Sequence, residues 1–190
     1  MNLKNVITFD NKIIKGPFII EPQIFSDNRG HFYESWNQNS FNKNLGRNIN
    51  FVQDNQSKSK RGVLRGLHFQ ISPFEQEKLV STIKGAIYDV IVDIRKDSPT
   101  YSMWAGIELT EQNKYQLWVP KGFAHGFLSL ENDSVVQYKV TNFWSKDCER
   151  SLKWNDEIVS IKWPLKDLKM KTPLISDKDN HALKIQDAIY

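Results

Sequence analysis

The chain has 190 residues, 39% of them hydrophobic and 25% charged, with one cysteine and a formal net charge of +4. That is enough chain to bury a substantial core, expected as one domain over residues 1–190, and the composition is that of an ordinary globular protein. No apolar run is long enough to span a bilayer, MNLKNVITFDNK lacks the layout of a secretory signal, and Cys148 has no partner within the chain, so a cytoplasmic protein with no membrane partner is expected.

In chain order, QNSFNKNLG (38–46) predicts a short helix stopped by Gly46. The basic patch Lys58, Lys60, Arg61 and Arg65 follows without any helix-turn-helix, zinc-finger or RNA-binding signature, so no nucleic-acid partner is expected. RGVLRGLHFQISPFEQEKLV (61–80) holds His68 in a strand-like run between Arg65 and Lys78. Short strands then follow at close spacing: AIYDVIVDIR, MWAGIELT, YQLWVP, FAHGFLSL and SVVQYKVTNFW. DSPT, EQNK, PKG and END supply the turns between them. Many short strands with regular turns indicate a sandwich or barrel. NDEIVSIKWP (155–164) reads as a turn and a short strand ended by Pro164, and the polar tail from Asp167 is expected to wrap the surface.

The candidate chemistry sits in these strands. Residues two apart on a strand share a face, so His68 shares one with Gln70. Arg65 has the opposite parity and joins them only if Gly66 introduces a bulge. His125 follows the turn PKG, and two histidines raise the question of a metal. Zinc or iron takes three or more His, Cys or carboxylate ligands, and Gln70 occupies the position that would complete a His-x-His pair, so no metal is expected. Tyr138 shares parity with Val136 and Val140 and should point inward, either as a hydrogen-bonded core residue or as an acid in a dry cavity. Asp179, the last acid of SDKD, is either a solvated charge or the carboxylate that orients a histidine.

Taken together, DNRGHFYE (27–34), FVQDNQS (51–57), VLRGLHFQ (63–70), EKLV (77–80), GAIYDVIVDIRKDSPTY (85–101), WVPKGFAHGF (118–127), YKVT (138–141), ERSLKWND (149–156) and SDKD (176–179) resemble the dTDP-4-dehydrorhamnose 3,5-epimerase family. The resemblance implies an all-β, cupin-type jelly-roll barrel with a few short helices and an interior active site that uses neither metal nor cofactor. It implies homodimers that exchange N-terminal strands. It also implies a dTDP-linked 4-keto-6-deoxy sugar as substrate, epimerised at C3 and C5 on the way to L-rhamnose and related surface sugars.

By the same resemblance His68 is the catalytic base and Asp179 its carboxylate, Tyr138 the general acid, and Lys78 the cation beside the keto oxygen. Arg65, Arg29 and Gln53 match positions that bind substrate or its diphosphate. Phe25, Phe32, Glu34 and Asn55 match the nucleotide or sugar pocket, and His125, Glu149 and Lys178 the active-site region. Relatives often carry tyrosine or phenylalanine near position 144, where this chain has Trp144; the larger indole can still stack on a base or sugar. Competing readings are a mono-epimerase, a ketoisomerase on a related sugar, and a non-catalytic sugar-nucleotide-binding cupin.

Overall fold

The computed structural model describes residues 2–188. The elements are β1 (Asn2–Ile7), β2 (Ile13–Glu21), β3 (Ile24–Asp27), β4 (Gly30–Tyr33), α1 (Gln38–Leu45), β5 (Gln53–Ser59), β6 (Leu64–Gln70), β7 (Lys78–Lys84), β8 (Ala86–Asp93), β9 (Trp104–Thr110), β10 (Gln116–Val119), β11 (Phe123–Ser129), β12 (Ser134–Val140), β13 (Glu149–Ser151) and α2 (Asp177–Asn180). Two antiparallel sheets face each other, one in the order β1-β2-β10-β7-β12-β5 and the other β13-β6-β11-β8-β9. This is a cupin-type jelly roll.

Strand alternation sets what lies between the sheets. Val80, Leu117, Val119 and Val136 from the first sheet meet Ile87, Ile91, Ala105, Leu109, Phe123 and Phe127 from the second. The outer faces are also covered. Trp118, Leu79 and Ile20 pack under Phe41 of α1 and Ile49. Leu67, Phe69, Val90 and Val92 pack under Leu152, Val159, Ile185 and Ala188. α1 starts at Asn37, whose side chain accepts the Ser40 N–H at 3.0 Å, and ends at Gly46 with φ 72°, the stop expected of that glycine.

Two expectations change. Residues 155–164 form turns and irregular chain, not a strand. The buried Asp156 carboxylate accepts the N–H groups of Ile158 (2.8 Å), Val159 (3.0 Å) and Ile185 (2.9 Å), taking donors that a ladder would have used. The tail does more than wrap the surface. It buries Leu168, Ile185 and Ala188, and isolated bridges at Val63–Leu174 and Leu152–Leu183 pin it on either side of α2. β3 and β4 pair only with each other, and their residues are exposed except for the half-buried Tyr33.

Candidate active site

The register builds the site. His125 on β11 lies directly opposite His68 on β6, and the next pair is Phe127 with Arg65. Two residues of β11 therefore span three of β6, and the irregularity falls at Gly66, whose φ is 112°. This slip puts Arg65 on the same wall as His68, the condition its parity required. From the other sheet, Tyr138 pairs with Val80 and Asn55, and Val140 pairs with Lys78 and Gln53. Gln53, Asn55, Lys78 and Tyr138 thus form the facing wall.

Between the walls lie adjoining cavities of about 590 and 290 Å³ that share His68, Lys78, Tyr138, Trp144 and Glu149. Arg65, His125, Lys178 and Asp179 line the larger; Gln53, Asn55 and Gln70 line the smaller.

His68 Nε2 lies 2.6 Å from Asp179 Oδ1, and Asp179 Oδ2 accepts the Gly66 N–H at 3.3 Å. α2 begins at Ser176, whose hydroxyl accepts the Asp179 N–H at 3.2 Å. Burial pulls the Asp179 pKa upward, but the His68 ring, the Gly66 N–H and Ser176 outweigh it and hold the carboxyl below its ordinary 3.8. With Nε2 directed at a carboxylate, Nδ1 is the free nitrogen of His68.

Lys78 is 8% exposed and its Nζ donates to the His68 carbonyl at 3.2 Å. Burial brings its pKa down from 10.5 to about 8, against the opposing pull of Asp89 and Glu149. Burial, helped by the charge of Glu149 and resisted by Arg65, pushes the Tyr138 phenol above 10.0, so it keeps its proton at neutral pH.

At the mouth, Lys178 Nζ donates to Glu149 at 2.5 Å. Burial raises the Glu149 pKa, but Lys178, His68 and the Trp144 side chain bring it below 4.5. Trp144, 54% exposed, donates its backbone N–H to Gln53 Oε1 at 3.2 Å, and Gln53 Nε2 donates to Asn55 Oδ1 at 2.8 Å. Arg65 is held by Ser59 Oγ at 3.0 Å and the Lys58 carbonyl at 3.3 Å.

Gln70 has a structural task. Its amide N–H groups donate to the Phe74 and Phe143 carbonyls, and its Oε1 accepts the Ser145 N–H at 2.7 Å. Among the described residues no three His, Cys, Asp or Glu side chains cluster as a metal site.

Four expected pocket residues lie elsewhere. Phe25, Arg29 and Phe32 sit on or between β3 and β4, and Glu34 just beyond; none lines the His68 cavity. Phe32 is 71% and Phe25 55% exposed, and Arg29 is paired with Asp27 at 2.6 Å. One residue was missed: Asp89, buried on β8, whose Oδ1 lies 2.6 Å from His125 Nε2. Its signal was a carboxylate at the same parity as Ile87 and Ile91 in an otherwise apolar run.

A family model described as dTDP-4-dehydrorhamnose 3,5-epimerase matches residues 11–187. A Shigella flexneri protein of that name is 50% identical over 172 residues, which cover 90% of this chain and 92% of that one. The crystal structure of a dTDP-4-dehydrorhamnose 3,5-epimerase from Elizabethkingia anophelis superposes with a TM-score of 0.88 at 45% identity, covering 99% of each chain. A Legionella pneumophila dTDP-6-deoxy-D-glucose-3,5-epimerase, solved in complex with dTDP-4-keto-L-rhamnose, gives a TM-score of 0.88 at 41% identity, covering 99% of this chain and 95% of that one. With a family model spanning most of its length and relatives of this identity, the chain belongs to the dTDP-4-dehydrorhamnose 3,5-epimerase family.

Proposed function

We propose that this chain inverts C3 and C5 of dTDP-4-dehydro-6-deoxy-D-glucose to give dTDP-4-dehydro-L-rhamnose. One observation carries the reading: a carboxylate-held imidazole on one sheet faces a protonated phenol on the other, with a buried ammonium in the same cavity. The C4 ketone acidifies the hydrogens on C3 and C5, and removing either leaves an enolate with its charge on O4. Inversion takes a proton from one face of the ring and returns one to the other, which calls for a base and an acid on opposite walls.

His68 Nδ1 removes the proton, and Asp179 stabilises the imidazolium that forms. The Lys78 ammonium stabilises the developing O4 oxyanion. Tyr138 returns a proton from the facing wall at C5 and then at C3; between the two steps His68 releases its proton to solvent and the phenol recovers one from it. Arg65, Lys178 and Gln53 bind the diphosphate and sugar near the mouth, and Trp144 stacks on base or sugar. These steps move protons only. His68→Asn should abolish deuterium uptake at both carbons while the protein still unfolds in one cooperative thermal transition. Near-normal exchange in that variant would sink the assignment.

The same reading makes the protein a cytoplasmic homodimer of one-domain chains. In support, one family model covers residues 11–187 and no described helix is long and apolar enough to cross a membrane. The β3–β4 hairpin displays Phe25 and Phe32 with no sheet of its own chain to pair with, so its residues would complete the partner's nucleotide pocket after strand exchange. Light scattering should give twice the chain mass. A monomer with full activity would contradict the exchange.

A further inference from the structure

Among the described residues the buried carboxylates are Glu77, Asp89, Asp93, Asp156 and Asp179; Glu77 pairs with Arg47 and Asp179 with His68. Asp93 is taken up by Arg95, Ser98 and Thr100, and Asp156 by three backbone N–H groups, so both secure turns. Asp89 secures no turn. It lies on β8 between Ile87 and Ile91, wholly buried, and directs Oδ1 at His125 Nε2 at 2.6 Å. Its Oδ2 is buried with no hydrogen-bond partner. Such a group is costly to keep inside a protein, and an apolar side chain would fill the place better. Its partner, His125, lines the cavity.

Two things follow from its position. His125 faces His68 across the β11–β6 ladder, and with Nε2 directed at Asp89 the remaining nitrogen, Nδ1, is free to accept from a ligand. Lys78 is buried with a backbone carbonyl as its hydrogen-bond acceptor. The groups that share its cavity are His68 and Arg65 from β6, His125 from β11, Tyr138 from β12, Glu149 from β13, and Asp179 and Lys178 from α2. Glu149 is already engaged by Lys178 at 2.5 Å. Asp89, behind His125, is the carboxylate whose charge acts most strongly on Lys78, ahead of Glu149.

We propose that Asp89 is a positioning residue for the epimerase reaction: it fixes His125 with Nδ1 toward the cavity, and its buried charge keeps Lys78 an ammonium where O4 becomes an oxyanion. The inference rests on the epimerase reading for its purpose but not for its measurement. Losing a nearby opposite charge lowers an ammonium pKa by about one pH unit or more.

The test is Asp89→Asn, which keeps the volume and one oxygen acceptor for His125. In protein carrying ¹³C-labelled lysine, the Lys78 signal is identified by its loss in Lys78→Met and titrated without substrate. The midpoint should lie near 8 in the parent chain and fall by about one pH unit or more in Asp89→Asn. The alkaline limb of kcat/KM should move down with it, costing about fivefold or more at pH 8. An unchanged midpoint overturns the proposal. Turnover absent in the parent chain together with a shifted midpoint would overturn the epimerase reading and leave the Asp89–Lys78 coupling standing. ¹⁵N NMR of the parent chain, which needs no variant to fold, should find neutral His125 protonated on Nε2. A proton on Nδ1 would refute the positioning role.

Discussion

Replacing Lys78 by methionine should stabilise the fold while disabling the enzyme. The side chain is buried and its pKa falls from 10.5 to about 8. At about 1.36 kcal/mol per pH unit, that fall corresponds to about 3 kcal/mol spent at neutral pH to keep the ammonium charged in the folded state. Methionine has a similar length, no charge, and fills irregular apolar space well. It gives up the bond from Nζ to the His68 carbonyl, worth about 1 kcal/mol. The net expectation is a gain of about 2 kcal/mol, which for a chain of this size raises Tm by about 4–8 °C.

The pH dependence has a definite sign. A lysine whose folded pKa is depressed is more protonated in the unfolded chain between about 8 and 10.5, so the parent protein gains stability as pH rises through that window. The advantage of Lys78→Met should therefore be full below pH 8 and vanish near 10.5. Urea unfolding of both proteins from pH 7 to 10.5, with turnover measured alongside, checks this. A variant less stable than its parent at pH 7, or a difference that does not shrink with pH, would refute the burial argument. Turnover should fall by about 10²-fold or more, as when a donor to a developing oxyanion is removed.

Tyr138→Phe should impair inversion at C5 more than removal of the C5 proton, read as deuterium washout against product formation; equal loss of both would make the phenol an organiser of the site. Asp179 has a folded pKa below 3.8, so its contribution to stability is present above that value and lost as pH falls through the folded one. The stability gap between the parent and Asp179→Asn should accordingly close below about pH 4, and a gap that persists at lower pH would argue against the ion pair. Gly66→Ala would place a Cβ 2.6 Å from Gly126 Cα and 2.7 Å from the His125 carbonyl oxygen, at a φ of 112°. Crowding and strain together should cost about 2–5 kcal/mol in denaturant unfolding; a loss under about 1 kcal/mol would mean the backbone relaxes freely there.

The strands of the barrel were legible because their alternation is regular. Val136, Tyr138 and Val140 share a face in SVVQYKV, and that face lines the interior. Arg65 was legible conditionally, since a glycine between opposite parities marks a bulge but cannot show that one forms. The strand expected over 155–164 failed because apolar spacing cannot reveal that a side chain, Asp156, satisfies the backbone instead. Asp89 escaped because β8 is buried on both faces, so its inner and outer residues look alike in sequence. Asp179 lies 111 residues from its partner His68. No local pattern spans that distance, and only resemblance to a family suggested the pair. The hairpin residues Phe25, Arg29, Phe32 and Glu34 matched by motif, yet they lie away from the His68 cavity of their own chain, and a motif does not say where the fold places it.

The central claim is that one imidazole and one phenol, facing each other across the barrel, invert two carbons of one sugar. Incubating the purified protein with dTDP-4-keto-6-deoxyglucose in deuterated water, with ¹H NMR following C3 and C5, tests it most directly. Deuterium at both carbons, with the L-sugar trapped by a downstream reductase, is the predicted result. Deuterium at one carbon alone, a ketone moved to a neighbouring carbon, or no exchange at all would contradict it.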